Sequence, residues 1–423
     1  MKIVHITTGV SRSSACFRIQ NALNKQNINS SILALKKSEE KIPNVYVIQG
    51  YSVWYKAYEK IAYYLNIAEF VFLKKLCGLK DGMPFTFGIF GINLTKFSII
   101  KDADIIHIHC VNGAFMSLHS FSSLRKLNKP IVITVHDSWI LTGGCHVLDG
   151  CINFQYMCKN CPQLERYKKL VYRSFKRKRK TLEKLDITFT APSKWTLSNI
   201  EKSMMFNAKK HAVVIANTLN LSVFRIMNSN EIKQLIRPQQ NNKIRILFGA
   251  ANSVSTPYKG FNYLLKMLVY LRAFYPEIAS RIELNIFGAN CSNEKELEYY
   301  DCTFWGYIVS EEKLAALYNY CDLYIVPSLE DSFNQTVLES SACGTPVVSF
   351  STGGIVDIII HEQTGYLAKY KNSEDLAQGI IWMLENNIEN QIGINARRYV
   401  EDKFSEERIG KAFKHLYESI LYK

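Results

Sequence analysis

The sequence of 423 residues lacks an apolar run long enough to span a lipid bilayer. Its most apolar segment, residues 61–73, contains Asn66 and Glu69 and is followed by two lysines, whereas a membrane span needs about 20 apolar residues. A secretory signal is lacking as well, because residues 2–7 have the pattern of a strand instead of a charged head and an apolar core. We therefore expect no transmembrane helix and a cytoplasmic protein.

Low-complexity tracts are also absent, and 48% of the residues are hydrophobic, so a folded chain is expected throughout. The length exceeds that of a usual single core, which predicts two domains of about 200 residues each. The net charge of +15 favours an acidic partner. Since no nucleic-acid-binding motif is present, we expect a nucleotide-sugar, a diphospholipid or an anionic membrane surface, and no nucleic acid.

Cysteine is not scarce, but its odd count of 11 excludes a scaffold in which every cysteine is paired. Four cysteines, here called the cysteine group, lie close together in sequence beside His146. In a reducing cytosol such a group indicates a metal before a disulfide, and four thiolates suffice for a structural zinc ion. Reduced, buried thiols explain the pattern equally well, so both interpretations stay open. The group consists of Cys145, Cys151, Cys158 and Cys161.

Short apolar runs rich in β-branched residues alternate with helical patterns in both halves of the chain. Strands that alternate with helices build parallel sheets, because a crossover helix returns the chain to the edge from which the next strand starts. The sequence therefore predicts an α/β protein. The predicted strands include residues 3–7, 31–34, 103–109, 131–135, 213–217, 244–248, 283–287, 323–326 and 347–350.

The prediction of function rests mainly on one stretch in the last third of the chain. Residues 323–326 have the pattern of a buried strand, and Ser332 and Gln335 have the spacing of a capping box at the start of a helix. We expect the helix to end at Gly344, which can adopt the left-handed conformation of a C-terminal cap. A second buried strand is predicted at residues 347–350. The stretch is thus strand, loop, helix, strand and loop.

Both loops of this stretch are expected at the carboxyl ends of parallel strands, where such sheets bind ligands. The helix N-terminus and the pair Gly353 and Gly354 offer backbone N–H groups to a phosphate. Asp331 in the first loop and Glu339 within the helix provide acceptors for different hydroxyl groups of one bound molecule. An aspartate that favours the helix dipole and a solvated surface glutamate are the alternative interpretation.

The order of these features resembles the donor-binding motif of glycosyltransferase family 4. The resemblance is carried by Pro-Ser, an acidic residue, Phe333, Glu339, the run Ala-Cys-Gly-Thr-Pro-Val-Val and a Gly-Gly pair. It implies a retaining enzyme with the GT-B fold, in which two Rossmann-like domains face each other across a cleft. The implied domains are residues 1–218 for the acceptor and residues 219–395 for the nucleotide-sugar. The C-terminal helix, within residues 396–423, is expected to cross back to the first domain.

The resemblance also implies the site residues. His136, followed by Asp137 and Trp139, resembles the family's histidine loop beside the donor sugar, and Lys259 occupies the position of the lysine that contacts the donor diphosphate. No catalytic cofactor is implied, since Lys259 and helix-terminal N–H groups would stabilise the departing diphosphate. The implied catalytic residues are His136, Asp331 and Lys259, and the implied donor-binding residues are Gly9, Lys259, Trp305, Phe333, Asn334, Gln335, Thr336, Glu339, Gly353 and Gly354.

Three positions depart from the family pattern. Asp331 and Asn334 stand where the family usually has glutamate and glycine, and Val254 stands where it commonly has arginine. The cysteine group and residues 162–164 are similar to a branch of the family found with capsule, colanic-acid and O-antigen lipopolysaccharide genes. That branch implies transfer from a UDP- or GDP-sugar to a growing surface glycan linked to polyprenyl diphosphate. A nucleotide-sugar epimerase with the GT-B fold and a catalytically degenerate scaffold are the rival interpretations.

Two further segments indicate a membrane surface. Residues 166–184 carry ten basic residues and one acidic residue, a density that favours anionic headgroups. Residues 51–100 are rich in aromatic side chains, among them Trp54 and Phe72, which suit shallow insertion into the interface. We therefore expect peripheral attachment to the inner face of the cell membrane. A solvated helix face and ordinary core packing are the alternatives.

Overall fold

The computed structural model describes residues 1–37, 42–207, 210–237, 242–250 and 254–422. The chain divides into two compact units, one of Met1–Thr218 together with Glu406–Lys423 and one of Leu219–Ser405. Each unit has its own parallel sheet and its own buried apolar cluster. The sequence pattern places an interdomain linker near residues 218–242, of which 238–241 lie outside the described residues.

The first unit is built on a sheet of seven parallel strands in the order β3-β2-β1-β4-β5-β6-β7. Its strands β4 and β5 are mainly apolar and buried at every residue, as parallel strands covered on both faces are. The strands are β1 (Lys2–Val10), β2 (Asn29–Lys37), β3 (Val45–Val47), β4 (Ile105–Ile108), β5 (Ile131–Thr134), β6 (Ile187–Ala191) and β7 (His211–Val214). The helices are α1 (Ala15–Lys25), α2 (Val53–Lys75), α3 (Ser98–Asp102), α4 (Leu118–Leu124), α5 (Lys168–Leu182) and α6 (Lys194–Lys202).

The second unit has six parallel strands in the order β10-β9-β8-β11-β12-β13. Its strands β9, β11 and β12 are buried at every residue. The strands are β8 (Ile244–Gly249), β9 (Ile282–Phe287), β10 (Asp301–Gly306), β11 (Leu323–Val326), β12 (Val347–Phe350) and β13 (Gly365–Ala368). The helices are α7 (Ser229–Leu235), α8 (Phe261–Phe274), α9 (Pro276–Ala279), α10 (Glu311–Tyr320), α11 (Gln335–Ala342), α12 (Ser373–Asn386) and α13 (Gln391–Phe404).

The last helix, α14 (Glu406–Leu421), belongs to the first unit. Its residues Phe413 and Tyr417 are buried in an apolar cluster to which α1 and β1 also contribute. The sequence predicts one continuous helix from residue 396 onward, and this prediction is wrong. Ser405 has extended backbone angles, φ −61° and ψ 149°, and it ends α13. The chain therefore passes from the second unit to the first at Ser405, so α13 stays with the second unit.

The prediction of two α/β domains with parallel sheets is confirmed, but several local expectations are wrong. Gly9 lies inside β1, where it pairs with Lys36, and not in a loop after the strand. Trp305 lies in the edge strand β10, which is not among the predicted strands. Strands β3, β10 and β13 were not predicted, because each is only partly buried, which weakens the apolar signal.

Helix α2 packs on the first unit along a narrow stripe. Of its 23 residues, the buried ones are Ala62, Glu69 and Leu73. Glu69 is a buried acid that accepts hydrogen bonds from the Thr86 hydroxyl at 2.9 Å and the Phe87 N–H at 2.6 Å. Among the described residues, no helix combines the length and the apolar composition that crossing a bilayer requires. The exposed apolar residues of α2 are Val53, Trp54, Ile61, Tyr63, Tyr64, Ile67, Phe70, Val71 and Phe72.

Candidate functional site

The predicted site residues fall into two groups, one in each unit. Lys259, Asp331 and Glu339 belong to the second unit, whereas Gly9 and His136 belong to the first. In both units these residues lie near the carboxyl ends of parallel strands or in the segments that follow them. This is the edge at which parallel α/β sheets bind ligands.

The loop between β11 and α11 positions Asp331 in the second unit. Helix α11 begins at Gln335, and Asn334 is its N-cap, because the Asn334 side chain accepts a hydrogen bond from the Val337 N–H at 3.0 Å. Asparagine is among the best N-cap residues. The predicted capping box at Ser332 is therefore wrong, and the helix begins two residues later than that box requires.

Asp331 pairs with Lys259. The distance between Lys259 Nζ and Asp331 Oδ2 is 2.9 Å. The same carboxylate oxygen accepts a hydrogen bond from Asn334 Nδ2 at 3.0 Å, and Oδ1 accepts one from the Phe333 N–H at 3.3 Å. A lysine, an amide and a backbone N–H thus hold one carboxylate, which fixes the loop that opens helix α11.

Two glycines permit the loops around this pair to approach each other closely. Gly260 has φ +78°, and a Cβ atom added to it would lie 1.8 Å from the carbonyl oxygen of Pro327. Gly353 has φ +54°, and its Cβ would lie 2.2 Å from the carbonyl oxygen of Asp331. The Gly354 N–H donates to the Asp331 carbonyl oxygen at 2.9 Å. The prediction that Gly354 offers its N–H to a phosphate is therefore wrong, because that N–H anchors the Asp331 loop.

Lys259 carries its charge beside a pocket. Burial lowers the pKa of Lys259, but the charge of Asp331 and the hydrogen bond to it raise the pKa by more, so that it lies above its ordinary value. The ammonium group is therefore protonated at neutral pH. The pocket is formed by the carboxyl ends of β8 and β11 and the start of α11, and its lining includes Lys259, Gly249, Tyr324, Asn334 and Thr336. A fixed cation at such an edge suits an anionic ligand.

Glu339 lies further along α11 and is only 4% exposed. Its Oε2 accepts a hydrogen bond from the Tyr318 hydroxyl at 3.3 Å. Glu339 is therefore neither a solvated surface carboxylate nor a residue on an open cleft surface, because α11 buries every residue from Val337 to Ala342. A ligand hydroxyl that used Glu339 would have to share this carboxylate with Tyr318.

The remaining predicted residues of the second unit have their own partners. Trp305 Nε1 donates to Asn285 Oδ1 on the neighbouring strand β9 at 2.8 Å. The ring of Phe333 is 4% exposed and packs edge-on against Phe404, with 5.6 Å between ring centroids. The Tyr324 hydroxyl lies 2.8 Å from Thr336 Oγ1. Gln335 is the first residue of α11. The Phe333 side chain is thus core packing, and only its backbone N–H touches the Asp331 carboxylate.

In the first unit, His136 and Asp137 follow β5. Asp137 caps the short turn after it, with Oδ1 accepting from the Trp139 N–H at 2.9 Å and Oδ2 lying 2.8 Å from His146 Nδ1. Burial raises the pKa of Asp137, but the charge and hydrogen bond of His146 and the Trp139 N–H lower it by more, so that it lies below its ordinary value. A pocket beside this ionised carboxylate is lined in part by His109, His136, Asp137 and Trp139.

His136 belongs to a chain of hydrogen-bonded histidines that sequence reasoning missed. Its Nε2 lies 2.9 Å from His109 Nδ1, and His109 Nε2 lies 2.8 Å from His5 Nδ1. Burial lowers the pKa of His5 to about 3 and that of His136 to about 4. The sequence held a signal, because His107 and His109 alternate along an apolar strand and so face the same side of the sheet. Gly9 lies in β1, and a Cβ added to it would meet Lys36 Cε at 3.9 Å.

The zinc site predicted at the cysteine group stays a prediction. Among the described residues, only His5, His107 and His109 form a set of potential metal ligands whose atoms all lie within 4.8 Å of one another. The cysteine sulfurs are not in this set. Burial raises the pKa of Cys145, and the nearby thiols of Cys158, Cys161 and Cys151 raise it further. Burial raises the pKa of Cys158 to about 12, and its sulfur accepts a hydrogen bond from the Gly143 N–H at 3.3 Å. These contacts fit the alternative of reduced thiols. The predicted ligands were Cys145, Cys151, Cys158 and Cys161.

One lysine of the predicted basic surface is not on the surface. Lys178, in α5, is completely buried. Its ammonium group donates to the carbonyl oxygens of Trp139 and Thr142, the latter at 3.0 Å, and lies 3.7 Å from the centroid of the Trp139 ring. Lys178 therefore supports the turn that follows His136. The exposed basic residues of this segment are Arg166, Lys168, Lys169, Arg173, Lys176, Arg177, Lys180 and Lys184.

Comparison with known families assigns a domain to the second unit. Residues 245–386 match the family described as Glycosyl transferases group 1. An uncharacterized glycosyltransferase of Methanocaldococcus jannaschii is 30% identical over 232 residues, which cover 51% of this chain and 56% of that protein. The N,N'-diacetylbacillosaminyl-diphospho-undecaprenol alpha-1,3-N-acetylgalactosaminyltransferase of Campylobacter jejuni is 28% identical over 128 residues, 30% of this chain and 33% of that protein. The chain thus matches about half or less of each relative.

Comparison of structures covers almost the whole chain. The Anabaena protein HepE, crystallised in complex with UDP and glucose, matches with a TM-score of 0.64 and 15% sequence identity, over 99% of this chain and 100% of HepE. At this level of identity the similarity establishes the fold. The two α/β units with parallel sheets are those of the GT-B architecture found in glycosyltransferases.

Proposed function

We propose that this chain is a glycosyltransferase that moves a sugar from a nucleotide-diphosphate donor to a glycan acceptor with retention of the anomeric configuration. The observation that carries the proposal is the ion pair of Lys259 and Asp331, which places a protonated lysine at a pocket inside the glycosyl transferases group 1 domain. The GT-B fold supports it, and so does the UDP bound to a structural neighbour. UDP- or GDP-sugars are the proposed donors.

The second unit binds the donor in this proposal. The Lys259 ammonium and the positive end of the α11 dipole stabilise the diphosphate, whose negative charge grows as it departs. Asp331 keeps Lys259 oriented and accepts a hydrogen bond from a sugar hydroxyl. Glu339 accepts a hydrogen bond from a ribose hydroxyl, and Trp305 lies beside the base. The chain supplies fixed charges and dipoles, and these act most strongly where water is excluded.

The first unit binds the acceptor in this proposal, and it carries His136. In a retaining transfer on one face of the sugar, the acceptor oxygen forms the new bond to the anomeric carbon while the bond to the diphosphate breaks. The proton of the acceptor hydroxyl passes to the departing phosphate oxygen. His136 provides a hydrogen bond that orients the reacting groups, and it forms no covalent bond to the sugar. The enzyme's contribution is then positioning together with electrostatic stabilisation.

The proposed acceptor is a glycan carried on polyprenyl diphosphate at the inner face of the cell membrane. The Campylobacter jejuni relative, whose name gives a diphospho-undecaprenol acceptor, supports this class of acceptor. Helix α2 also supports it, because Trp54 is 70% exposed and Tyr64 69% exposed. The Arg166 N–H donates to the Cys77 carbonyl oxygen at 3.0 Å. The end of the aromatic helix α2 is therefore tied to the segment that starts the basic helix α5.

Donor binding and turnover test the catalytic proposal. We expect one nucleotide-sugar among UDP-, GDP- and TDP-sugars to stabilise the protein against heat, since a ligand at 100 times its Kd adds about 2.7 kcal/mol. With a lipid-linked acceptor, the nucleoside diphosphate is released and the product keeps the anomeric configuration of the donor, which NMR of the new linkage measures. A changed donor sugar without an acceptor would indicate the epimerase, and binding without release would indicate the scaffold. An inverted product would refute retention.

Vesicle binding tests the membrane proposal. Replacing Lys176, Arg177 and Lys180 with glutamine should lower co-sedimentation with anionic vesicles at low salt, because each exposed basic residue near the surface contributes about 1 kcal/mol. Lys178 is left unchanged, since it is buried. A matched control replaces three exposed lysines of the second unit and should bind as the wild type does. If the wild type does not bind anionic vesicles at low salt, the acceptor is soluble. The control positions are Lys233, Lys295 and Lys313.

A further inference from the structure

A chain of four polar side chains crosses the interior of the first unit and ends at His136. Ser30 Oγ lies 2.9 Å from His5 Nε2, and His5 Nδ1 lies 2.8 Å from His109 Nε2. His109 Nδ1 lies 2.9 Å from His136 Nε2. Ser30 is 1% exposed, His5 0% and His109 6%. Water therefore has almost no access to these links.

The order of the strands builds this chain. Ser30 lies on β2, His5 on β1 and His109 directly after β4, and these three strands are neighbours in the sheet. His136 follows β5, the next strand. His5 pairs in register with His107, and His109 is two residues further along. Side chains two residues apart share one face of a strand, so His5 and His109 meet across the β1–β4 pair.

These histidines have no nitrogen left for a metal ion. His107, the third member of the converging set, uses Nδ1 for the Tyr417 hydroxyl at 2.7 Å and Nε2 for Thr134 Oγ1 at 2.7 Å. Both nitrogens of His5 and both of His109 belong to the chain. A metal ligand needs a free lone pair that points at the ion. The set is therefore a hydrogen-bond network.

The Ser30 hydroxyl fixes the direction of the chain. Within the described part of the molecule, His5 Nε2 is the one hydrogen-bond partner of Ser30 Oγ. A buried hydroxyl that did not donate would lose a hydrogen bond that water gave it in the unfolded chain, so Ser30 donates to His5. A neutral imidazole has one donor and one acceptor nitrogen. His5 Nδ1–H then donates to His109 Nε2, and His109 Nδ1–H donates to His136 Nε2.

We propose that Ser30, His5 and His109 are positioning residues that hold neutral His136 in the tautomer with its proton on Nδ1. His136 Nε2 is occupied as an acceptor, so His136 acts on its surroundings through an Nδ1–H donor. It is thereby unable to take up a proton as a general base while the chain is intact. The use of that donor on a sugar oxygen rests on the proposed function, whereas the tautomer does not.

The electrostatics of the chain agree with this direction. Burial lowers the pKa of all three histidines, and that of His136 lies at about 4 although the neighbouring Asp137 raises it. A proton added to His136 would put an N–H on Nε2, directly against the Nδ1–H of His109. Reversing all links to relieve that contact would leave the Ser30 hydroxyl without an acceptor. His136 therefore stays neutral at neutral pH.

Nitrogen NMR of protein labelled with ¹⁵N-histidine reads the tautomer directly, without any assay of transfer. The signals of His136 are assigned by comparison with the His136→Asn variant. We expect the wild type to show a protonated Nδ1 and an unprotonated Nε2 at neutral pH. A protonated Nε2 in the wild type would overturn the proposal, and this arm depends on no variant that alters the chain.

The Ser30→Ala variant tests whether the chain sets the tautomer. Without the hydroxyl, either direction leaves His5 Nε2 unpaired, so the two directions become comparable and His136 should show both tautomers. Ser31→Ala, on the neighbouring and only partly buried position of β2, is the matched control and should retain the wild-type pattern. A wild-type pattern in Ser30→Ala would show that the chain does not position His136. Failure of sugar transfer with an intact Nδ1–H pattern would instead count against the proposed function.

Discussion

Lys259 Nζ lies 2.9 Å from Asp331 Oδ2, and the two side chains are 21% and 15% exposed. The sequence assigned these residues separate tasks, a contact to the diphosphate and a contact to the sugar. In the structure they form one ion pair, and Asn334 binds the same carboxylate oxygen. A diphosphate that binds Lys259 therefore has to share it with Asp331. The charge of the site and the orientation of its loop depend on each other.

Replacing Lys259 with alanine should lower kcat/KM for transfer by about 100-fold or more, because one fixed charge at a developing anion contributes about that much. Steady-state kinetics with the stabilising nucleotide-sugar measure it. Lys266→Ala, an exposed lysine on the following helix α8, is the matched control and should have the wild-type rate. Near-normal turnover of Lys259→Ala would remove the assignment of the donor site.

Glu339→Gln and Glu339→Ala should separate donor binding from stability. Glutamine keeps an oxygen that accepts from the Tyr318 hydroxyl, so its free energy of unfolding should change by less than about 1 kcal/mol. Alanine leaves that hydroxyl buried without an acceptor and opens a cavity, which costs about 2 to 4 kcal/mol. Urea unfolding measures both. Both variants should lose donor affinity in calorimetry; wild-type affinity in Glu339→Gln would exclude a ribose contact.

The buried histidines should make the first unit less stable as the pH falls. His107 and His109 have pKa values well below the ordinary one, mainly through burial, and those of His5 and His136 are about 3 and about 4. An unfolded histidine titrates near about 6.5, so below that pH the unfolded chain binds more protons and the free energy of unfolding falls.

This stability is fully present above about pH 6.5 and is lost as the pH falls toward the folded values. Between about pH 7 and about pH 5.5 the loss is about 1 kcal/mol for each histidine. Urea unfolding of the full chain at both pH values, followed by a probe in the first unit, measures it. His136→Asn should reduce the pH dependence by about one proton, whereas the exposed His119→Gln should leave it unchanged. A pH-independent midpoint over this range contradicts the prediction.

Lys178→Gln should destabilise the first unit far more than Lys176→Gln does, although the two lysines lie two residues apart. The Lys178 ammonium donates hydrogen bonds to the carbonyl oxygens of Trp139 and Thr142 in a fully buried site. Removing the ammonium group leaves both oxygens unpaired, which should lower the free energy of unfolding by about 2 to 4 kcal/mol. An exposed lysine such as Lys176 changes stability by about 0.5 kcal/mol or less. Thermal unfolding of the two variants measures the difference, and equal midpoints would place Lys178 on the surface.

Much of the architecture could be predicted from local patterns. Residues 323–326 and 347–350 are strands in the structure, as their short apolar, β-branched runs indicate. Gly344 ends α11 with φ +74°, which follows from the freedom of glycine at that position. The cap of α11 could not be assigned as reliably. Ser332 and Asn334 both suit an N-cap by residue type, and the packing of the loop against Lys259 through Asp331 selects Asn334.

The contacts of the site were decided by the tertiary structure. The positions of the histidines along β1 and β4 could be predicted from the sequence. The contacts between them depend on the strand order β2-β1-β4-β5, which brings together residues about a hundred positions apart. Lys178 looked like its exposed neighbours by residue type, although its spacing from Val171, Phe175 and Leu182 places it on the buried face of α5. A sequence pattern shows which residues share one face of the same helix or strand. Which two side chains touch is set by the packing of different elements, and that packing is a property of the folded chain alone.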